Sequence, residues 1–463
     1  MLKVGFARID ITPPLQIEIA GYYEKRIADG ILDPLLATAI AFDDSDKKAI
    51  VMSVDVIGIS QPFCENIRRE IADRLGIDGD AVIICATHTH TGPLIPGAVS
   101  ASVAGLKYAA EKTAEELFEN ENARLFKGRL VDLASLAIDD LAPAKMLYTK
   151  GEVKDVSFIR RYRMKDGTIR TNPGWQNPDI LEAIGKPDEE SSLLIIRREG
   201  KKEIGIVNFQ VHPDLIGRTK YSADYPKFVR DTYEANVPNS LCMYINGAAG
   251  NLNHIDVRLN PETDCAKGYE RAKYMGKKIA YSVLSNYPLA KEIAGEKVRY
   301  AQKNVSVKYN KGTKEENEEA IALYKVYTEK GSEAAIPGGN AGMRRTQILA
   351  KTTRIVSLMN LPDYADLRVS ALSVGDMIFG GIPGEPFTEI GMAFKKKTGY
   401  TFAIFSCLAN GNQGYYPVES ALSEGGYEAN STCYAVGTAE KLLDNLLEIS
   451  DTLKMKNNTT NYE

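Results

Sequence analysis

Apolar residues along the chain recur in two patterns, one typical of buried strands and one typical of helices. Short apolar runs that are rich in β-branched residues and bounded by turn residues predict strands. We expect these strands at residues 2–11, 36–42, 49–59, 81–86, 193–197, 204–210, 241–245, 297–309, 368–373 and 377–382. Helical spacing predicts a helix over residues 62–75 and two helices within residues 103–141.

The predicted strands and helices do not follow the regular order of a parallel βαβ fold. This mixture predicts an α/β chain of the mixed α+β kind, with mixed sheets flanked by helices. Neither an internal repeat nor a linker composition divides the sequence, so we expect one large catalytic domain over residues 1–453. A charged helical excursion is predicted at residues 310–355. Residues 454–463 are polar and predict a frayed tail.

Composition restricts the class of protein. The chain has 463 residues, of which 44% are hydrophobic and 25% charged, and its net charge is -4. This acidic balance argues against nucleic-acid binding, and no apolar run approaches the roughly 20 residues that cross a bilayer. The sequence begins without an export-signal pattern, and its six cysteines form no CxxC pair. We therefore expect a cytoplasmic protein with reduced thiols that acts on a small molecule, with no nucleic-acid partner and no membrane span.

The candidate chemistry begins at residues 86–93, Ala-Thr-His-Thr-His-Thr-Gly-Pro, directly after an apolar run. Two of the four histidines, His88 and His90, lie in this segment. Alternate side chains of a strand point to the same face, so both imidazoles can converge on one point. Such a pair before a Gly-Pro turn suits an open zinc site. Two histidines that only make structural hydrogen bonds would give the same pattern.

Other polar residues also follow predicted strands. His212 comes after an apolar run and can be a third metal ligand or a loop hydrogen-bonding residue. Glu385, in Pro-Gly-Glu-Pro, can be an oxygen ligand or general base, or a carboxylate at the N-terminus of a helix. Asp224 precedes a helical run and has a ready structural role as its N-cap. A ligand role for His254 is no more than a guess.

Two further segments combine glycine with polar or aromatic residues. Residues 246–250, Asn-Gly-Ala-Ala-Gly, let the backbone approach either a substrate or a neighbouring loop. Tyr415 and Tyr427 each come shortly after glycines in a polar loop. Because most loop tyrosines only pack their rings, the residues alone leave the roles of both open.

Taken in order, these segments resemble the neutral/alkaline non-lysosomal ceramidase family. The similar segments are Val-Gly-Phe-Ala-Arg-Ile-Asp-Ile-Thr-Pro at 4–13, the Thr-His-Thr-His segment at 86–93, Val-His-Pro at 211–213, Asn-Gly-Ala-Ala-Gly at 246–250, Pro-Gly-Glu at 383–385, Gly-Tyr at 414–415 and Tyr-Glu at 427–428. They extend over nearly the whole chain. The ordered set is much more specific than any one segment.

The resemblance implies a zinc ion, Zn²⁺, held by four side chains. By position in the family motifs, these ligands are His88, His212, Glu385 and Tyr415. No organic cofactor is implied.

The resemblance also implies residues that act on the substrate. His90 and Tyr427 would face the reacting group. An arginine within residues 158–162 would contact the substrate, and we favour Arg161 over Arg160.

Two departures from the family pattern bear on the substrate. The family follows the glycine-rich turn with Gly-Asp and a Ser-Pro-Asn-like sequence, whereas residues 250–253 are Gly-Asn-Leu-Asn, so that Asn251 replaces an acidic residue. The sequence also shows neither the immunoglobulin-like C-terminal domain nor the export signal of the ceramidases. Both departures weaken the inference to ceramide, a membrane-resident lipid, and leave the implied ligands intact.

The sequence therefore predicts a zinc-dependent hydrolase resembling neutral ceramidase, an amidase in which metal-activated water attacks the amide of an N-acyl substrate. Ceramide or a smaller, more soluble compound would be cleaved. One alternative keeps the metal site but acts on a carbohydrate derivative or similar polar compound by hydrolysis or elimination. Another is a homologue that binds ligand without catalysis, for which Asn251 is the only argument.

Overall fold

The computed structural model describes residues 1–95, 120–260, 267–339 and 343–459. Within these residues the longer helices are Gln61–Leu75, Glu121–Asp139, Tyr225–Asn236, Tyr269–Ser285, Lys314–Lys330, Arg344–Leu358, Thr388–Lys397 and Thr438–Thr459, and the shorter ones are Ser332–Ala335, Glu419–Glu424 and Tyr427–Ser431. Single 3-10 turns occur at Gly79–Ala81 and Tyr287–Leu289. Of the helical region predicted over residues 103–141, residues 103–119 lie outside the described residues, as does Cys265. The five described cysteines are free thiols.

A mixed nine-stranded sheet forms the larger half of the fold, called here the large sheet. Its strand order is Ser240–Asn246, Glu203–Phe209, Glu190–Arg198, Ala142–Glu152, Lys3–Asp10, Leu36–Asp43, Lys48–Val54 and Val82–Ala86, with Lys291–Glu292 paired to Ala142–Glu152. The first two strands of this order are parallel, as are the last two of the main path, and the remaining neighbours are antiparallel. The predicted mixed α+β class is confirmed.

A four-stranded sheet, the small sheet, packs beside it. Its order is Val298–Lys308, Tyr364–Val374, Met377–Gly381 and Phe402–Ser406, and its last two strands are parallel. One apolar core joins the two sheets, since the rings of Phe42 and Phe379 lie 6.2 Å apart and those of Tyr148 and Phe402 lie 5.1 Å apart. Burial of this apolar surface is the main force that holds the two sheets together.

Helices cover the sheets, and shorter strands line the loops between them. Glu121–Asp139 packs on the large sheet near its N-terminal strand, Tyr225–Asn236 packs on its far edge, and Thr438–Thr459 packs on the small sheet. The short strands are Ile169–Thr171, Arg161–Met164 and Ile180–Ala183 in one sheet, and the pairs Glu18–Ile19 with Arg26–Ile27, Gly30–Ile31 with Lys220–Tyr221, Phe158–Ile159 with Leu252–Asn253, and Glu385–Pro386 with Tyr415–Tyr416. No helix in the described ranges is long and apolar enough to span a membrane.

Local sequence explains where individual helices begin and end. The Ser60 hydroxyl accepts a hydrogen bond from the Phe63 amide, Pro62 lies in the first turn, and Gly76 ends the helix in the left-handed conformation with φ 64°. Thr313 and Glu316 form a reciprocal capping box at the start of Lys314–Lys330. That helix lies within the predicted helical excursion, and Arg344–Leu358 begins within it and ends three residues beyond it.

The structure departs from the expected boundaries in three places. The strand predicted over residues 49–59 ends at Val54, where the chain turns toward the site described below. The eleven-residue strand Ala142–Glu152 was not predicted, because its Ala and Lys residues have low β-propensity although its first buried positions alternate. The last helix continues to Thr459, into the segment expected to be a frayed tail, because nothing there breaks a helix.

Candidate active site

Loops that follow strands of both sheets meet at one edge of the molecule. His88 follows the strand Val82–Ala86, and His212 follows Glu203–Phe209. Glu385 comes after the strand Met377–Gly381 of the small sheet and pairs in parallel with Tyr415. The strand ends of the two sheets are joined directly, since the Asn410 amide donates to the Ile84 carbonyl at 2.8 Å. Residues up to about 330 positions apart are thereby brought together.

The first histidine pair converges by a turn, not by strand alternation. The strand ends at Ala86, and His88 has φ 75°, which is uncommon for a residue with a side chain. The amides of Thr87 and His88 donate to carbonyls of Val54 and Val56 at 2.9 and 3.0 Å, which hold the turn in place. The His88 and His90 rings lie 5.0 Å apart and nearly perpendicular. The expected convergence is therefore present, but its expected cause was wrong.

Two of the four expected metal ligands, both histidines, contact the same carboxylate oxygen of a third. Oε2 of Glu385 lies 3.2 Å from Nε2 of His88 and 3.1 Å from Nε2 of His212. The Tyr415 hydroxyl lies 3.4 Å from the same nitrogen of His212. All four side chains are buried. The structure thus brings together the four residues His88, His212, Glu385 and Tyr415 at one point.

The hydrogen bonds of the two histidines leave Nε2 available as a metal ligand. Nδ1 of His88 lies 2.7 Å from the Ile57 carbonyl, and Nδ1 of His212 lies 2.9 Å from the Ala249 carbonyl. A carbonyl only accepts, so each Nδ1 carries a proton and, in the neutral ring, Nε2 carries a lone pair. Those lone pairs face a buried carboxylate, an arrangement that is suited to holding a cation. The donor set fits a divalent metal ion of the zinc type.

The electrostatics of the cluster agree with this need for positive charge. Burial tends to raise the pKa of Glu385, but the neighbouring His88 and His212 outweigh it and hold that pKa well below its usual range. Burial tends to lower the pKa of His88, but the Glu385 carboxylate raises it overall. Burial lowers the pKa of His212. The Glu385 carboxylate is therefore anionic, and it acts to raise the pKa of both His88 and His212.

His90 is placed differently from the other two imidazoles. Its Nδ1 lies 3.8 Å from Oδ1 of Asp214, and its nitrogens have no hydrogen-bond partner within the described part of the chain. Burial lowers its pKa to about 3, so it is neutral. Asp214 in turn accepts a hydrogen bond from the Tyr22 hydroxyl. His90 is thus a neutral base beside a carboxylate at the edge of the cluster.

A second possible ligand set consists of three histidines. Ring nitrogens of His88, His90 and His212 lie within 4.8 Å of one another, close enough to hold a metal ion. We favour the set that includes Glu385, because its Oε2 touches two imidazoles at 3.1 and 3.2 Å while His90 faces Asp214.

Tyr427 lies beside Tyr415 at the mouth of the cluster. The two rings are 5.6 Å apart and nearly perpendicular, and the Tyr427 hydroxyl is hydrogen-bonded to Tyr23. Tyr427 begins the short helix Tyr427–Ser431 instead of lying in a loop as expected. Burial raises the pKa of both Tyr415 and Tyr427 well above the usual range, so both phenols are protonated.

The structure places Arg160, and not Arg161, at the cluster. The Arg160 guanidinium lies 5.3 Å from the Tyr415 ring centre and 5.8 Å from that of Tyr427, and its Nε donates to Glu428 at 2.6 Å. Arg161 points away: it donates to Glu424 and to the carbonyl of Gly425 at 3.1 and 3.0 Å.

The preference for Arg161 therefore does not agree with the geometry. Neighbouring residues along an extended chain point to opposite sides, so only one of the two arginines can face the cluster. The Nη2 of Arg160 also donates to the Gly250 carbonyl at 2.7 Å, which ties it to the glycine-rich loop.

The glycine-rich loop and Asn251 support the ligands from behind. A Cβ on Gly250 would lie 2.4 Å from the Glu385 carbonyl oxygen, so only glycine fits there. Asn251 accepts from the Thr388 amide at 2.8 Å and donates to Glu389 at 2.9 Å, capping the helix Thr388–Lys397. Residue 251, where the sequence departs from the family, thus has a structural role as a cap.

Asp224 has a structural role, and no role is assigned to His254. Asp224 accepts from the Tyr225 amide at 2.6 Å and from those of Leu215 and Ile216 at 3.0 and 2.9 Å, so it is the N-cap expected of it and also fixes the loop after His212. His254 is buried, and burial lowers its pKa to about 3.

The sequence patterns did not indicate Asp214 or Tyr22, and they favoured Arg161 over Arg160. Asp214 comes two residues after His212, which is the one signal in the sequence that could have indicated it. Tyr22 is one of 24 tyrosines in the sequence. It reaches the site by a hydrogen bond to Asp214, which is 192 positions away along the chain.

A cavity of about 140 Å³ opens from the cluster. His88, His90, Glu385, Tyr415 and Tyr427 are among the residues that line it. Other lining residues come from the helix Arg344–Leu358 and from the segment before the C-terminal helix. A pocket that combines convergent polar groups with an apolar wall is typical of a small-molecule site.

Comparisons with known proteins agree with this arrangement. Residues 2–222 match the family model described as neutral/alkaline non-lysosomal ceramidase, N-terminal. The fold is similar to that of neutral ceramidase from Pseudomonas aeruginosa, with a TM-score of 0.71 and 20% identity over 98% of this chain and 75% of that chain. It is similar also to a ceramidase complexed with C2, with a TM-score of 0.70 and 17% identity over the same shares. The relationship predicted from the motifs is confirmed.

Proposed function

Since residues 2–222 belong to the neutral/alkaline non-lysosomal ceramidase family, we propose that this chain is a zinc-dependent hydrolase that cleaves the amide bond of an N-acyl compound. The observation that carries the proposal is the shared contact of Oε2 of Glu385 with Nε2 of His88 and of His212, at 3.2 and 3.1 Å. Buried imidazoles that turn their free nitrogens toward a carboxylate are suited to holding a metal ion.

His88, His212, Glu385 and Tyr415 would hold the zinc ion. When bound, zinc supplies Lewis-acid chemistry: it lowers the pKa of a water molecule and polarises a carbonyl group. The protein's contribution is to fix the ligands, and it does so through the backbone carbonyls of Ile57 and Ala249.

The remaining side chains would handle the substrate and its protons. Water adds to the amide carbonyl, the carbon–nitrogen bond breaks, and the products are a carboxylic acid and an amine. His90 is neutral and can accept the proton of the attacking water and deliver it to the leaving nitrogen. The protonated hydroxyl of Tyr427 can donate to the developing oxyanion. Arg160 holds both tyrosine rings in place and can orient the carbonyl of the substrate.

Metal dependence is tested by removal and replacement. We expect protein treated with a chelator and then dialysed to lose amide hydrolysis, and one equivalent of zinc per chain to restore it, because the ligand cluster is anionic and buried. The measurement is release of free amine from N-acyl-sphingosine and from short soluble amides, with elemental analysis alongside. Magnesium, which prefers oxygen ligands, serves as the control ion. Full activity in metal-free protein would contradict the proposal, and an unsaturated product would favour elimination instead.

The roles of the two neighbouring arginines are separated by matched variants. Arg160→Lys is expected to lower kcat/KM by on the order of 10- to 100-fold, because lysine keeps the charge beside Glu428 but loses the planar fork that reaches Tyr415. Arg161→Lys is expected to leave kcat/KM within about twofold, since its contacts lie away from the cavity. Steady-state kinetics at matched thermal stability measure both. A larger loss of kcat/KM in Arg161→Lys than in Arg160→Lys would indicate that Arg161 contacts the substrate.

A further inference from the structure

The cavity beside the metal ligands is also lined by apolar and aromatic side chains. Among them are Tyr309, Tyr434, Leu358 and Leu361. The two tyrosine rings lie 5.6 Å apart and nearly parallel. A substrate that reaches from the ligand cluster to these side chains therefore has an apolar portion.

One cation lies among these apolar side chains. Arg354 lines the cavity and is 6% exposed. Its Nη1 donates to the Asn310 carbonyl at 3.1 Å, but its Nε is buried and has no hydrogen-bond partner among the described residues. Nor does any carboxylate of those residues lie within 4.0 Å of it, the distance of an ion pair.

The carboxylate that influences Arg354 most is already engaged. Glu316 acts on the charge of Arg354 from a distance. Its own oxygens are held by Lys351 at 2.7 Å and by the Thr313 amide at 3.0 Å. The guanidinium is thus a buried charge, and the carboxylate that acts on it is bound elsewhere.

A buried cation without an anionic partner costs free energy. An anion brought by a ligand would remove that cost and gain charge-assisted hydrogen bonds. A guanidinium fork matches a carboxylate in shape and charge better than it matches a hydroxyl or an amide. The presence of Arg354 among the apolar residues that line this cavity therefore favours a ligand with an apolar body and a terminal carboxylate.

We propose that Arg354 selects amide substrates that carry a carboxylate at the end remote from the scissile bond. This inference rests on the proposed amidase function and narrows its substrate class. The carboxylate can belong to either product: to the amine, as in an N-acyl ω-amino acid, or to the acyl chain, as in a monoamide of a long dicarboxylic acid. Ceramide, which is uncharged, lacks the group that Arg354 would bind.

Hydrolysis of matched charged and neutral substrates tests the selection. One pair is N-acetyl-8-aminooctanoate and its methyl ester, and the other is the mono-anilide of suberic acid and octanoic anilide. For at least one pair, the zinc-loaded wild type is expected to cleave the charged member with a kcat/KM on the order of 10- to 100-fold higher. The pair that shows this difference identifies the product that carries the carboxylate.

Variants assign the preference to one side chain. Arg354→Gln is expected to lose the preference by weakening cleavage of the charged member alone, and Arg354→Lys is expected to keep part of it. Arg344→Gln, an exposed arginine on the same helix, is the matched control and should keep all of it. Thermal unfolding checks that each variant folds. If Arg354→Gln lowers cleavage of both members equally, or the wild type prefers the neutral members, the proposal is wrong.

Binding provides a readout that does not require turnover. Suberate has a second carboxylate that octanoate lacks, and neither can be hydrolysed. Calorimetry is expected to show tighter binding of suberate to the zinc-loaded wild type and no such difference in Arg354→Gln. If this difference is present but no amide is cleaved, the hydrolase proposal fails and the recognition of a remote carboxylate stands. If amides are cleaved but suberate and octanoate bind equally, the recognition fails and the hydrolase proposal stands.

Discussion

Replacing Glu385 by glutamine is expected to abolish zinc binding and to lower amide hydrolysis by on the order of 1,000-fold or more. The variant keeps the size of the side chain but removes the one negative charge that both His88 and His212 contact, at 3.2 and 3.1 Å. A neutral amide is a much weaker ligand for a divalent cation than a carboxylate. Elemental analysis of the purified protein and kcat with a soluble N-acyl amide measure the two effects.

The control for this variant is Glu389→Gln, one helical turn further along. Glu389 accepts a hydrogen bond from Asn251, and a glutamine oxygen can accept the same bond. Zinc content and kcat should therefore change little. Glu385→Gln protein that still holds one zinc ion and turns over at the wild-type rate would show that the metal is bound elsewhere. Loss of zinc in His90→Ala with retention in Glu385→Gln would favour the three-histidine ligand set.

Asp55→Ala is expected to reduce the free energy of unfolding by about 3–5 kcal/mol. Asp55 is fully buried and accepts hydrogen bonds from both terminal nitrogens of Arg230, at 3.0 and 2.7 Å. Its removal leaves a buried guanidinium without a partner. Asp55 also accepts from the Thr87 hydroxyl at 3.1 Å, so weaker zinc binding should accompany the loss of stability. Urea denaturation followed by circular dichroism measures the first effect.

Two companion variants make this prediction specific. Asp231→Ala removes the partner of Lys227 in an exposed pair on the same helix as Arg230, and it should cost less than about 1 kcal/mol. The double variant Asp55→Ala with Arg230→Met should recover much of the lost stability, because it removes the unpaired charge. A cost below 1 kcal/mol for Asp55→Ala would show that the buried pair contributes little.

Strands were the best predicted part of the fold. Residues 241–245 are a continuous apolar run and residues 36–42 are apolar except for Thr38, and both lie in the large sheet, where both faces of a strand are buried. The strand Ala142–Glu152 was missed because exposed Lys145 and Lys150 interrupt its apolar pattern. Its place in the sheet depends on pairing with Glu190–Arg198, which is a property of the folded chain and not of the local sequence.

The site could be predicted only in part. The meeting of His88, His212 and Glu385 depends on loops that are far apart in sequence, and motif order, not periodicity, pointed to it. The choice between Arg160 and Arg161 could not be made, since both lie in the same short segment and only the register of that segment determines which one faces the cluster. Arg354 gave no signal, because a single arginine on a charged helix resembles any solvent-exposed residue until its burial is known.

Part of the cavity lining lies on an element separate from the metal ligands, and this division has a consequence for how the protein can diversify. The residues for bond cleavage project from loops anchored in sheets, whose backbone tolerates little change. Arg354 and Leu358, which also line the cavity, project from one helix outside those sheets. A few exchanges on that helix would retune which compounds are accepted, while the reaction itself is inherited unchanged.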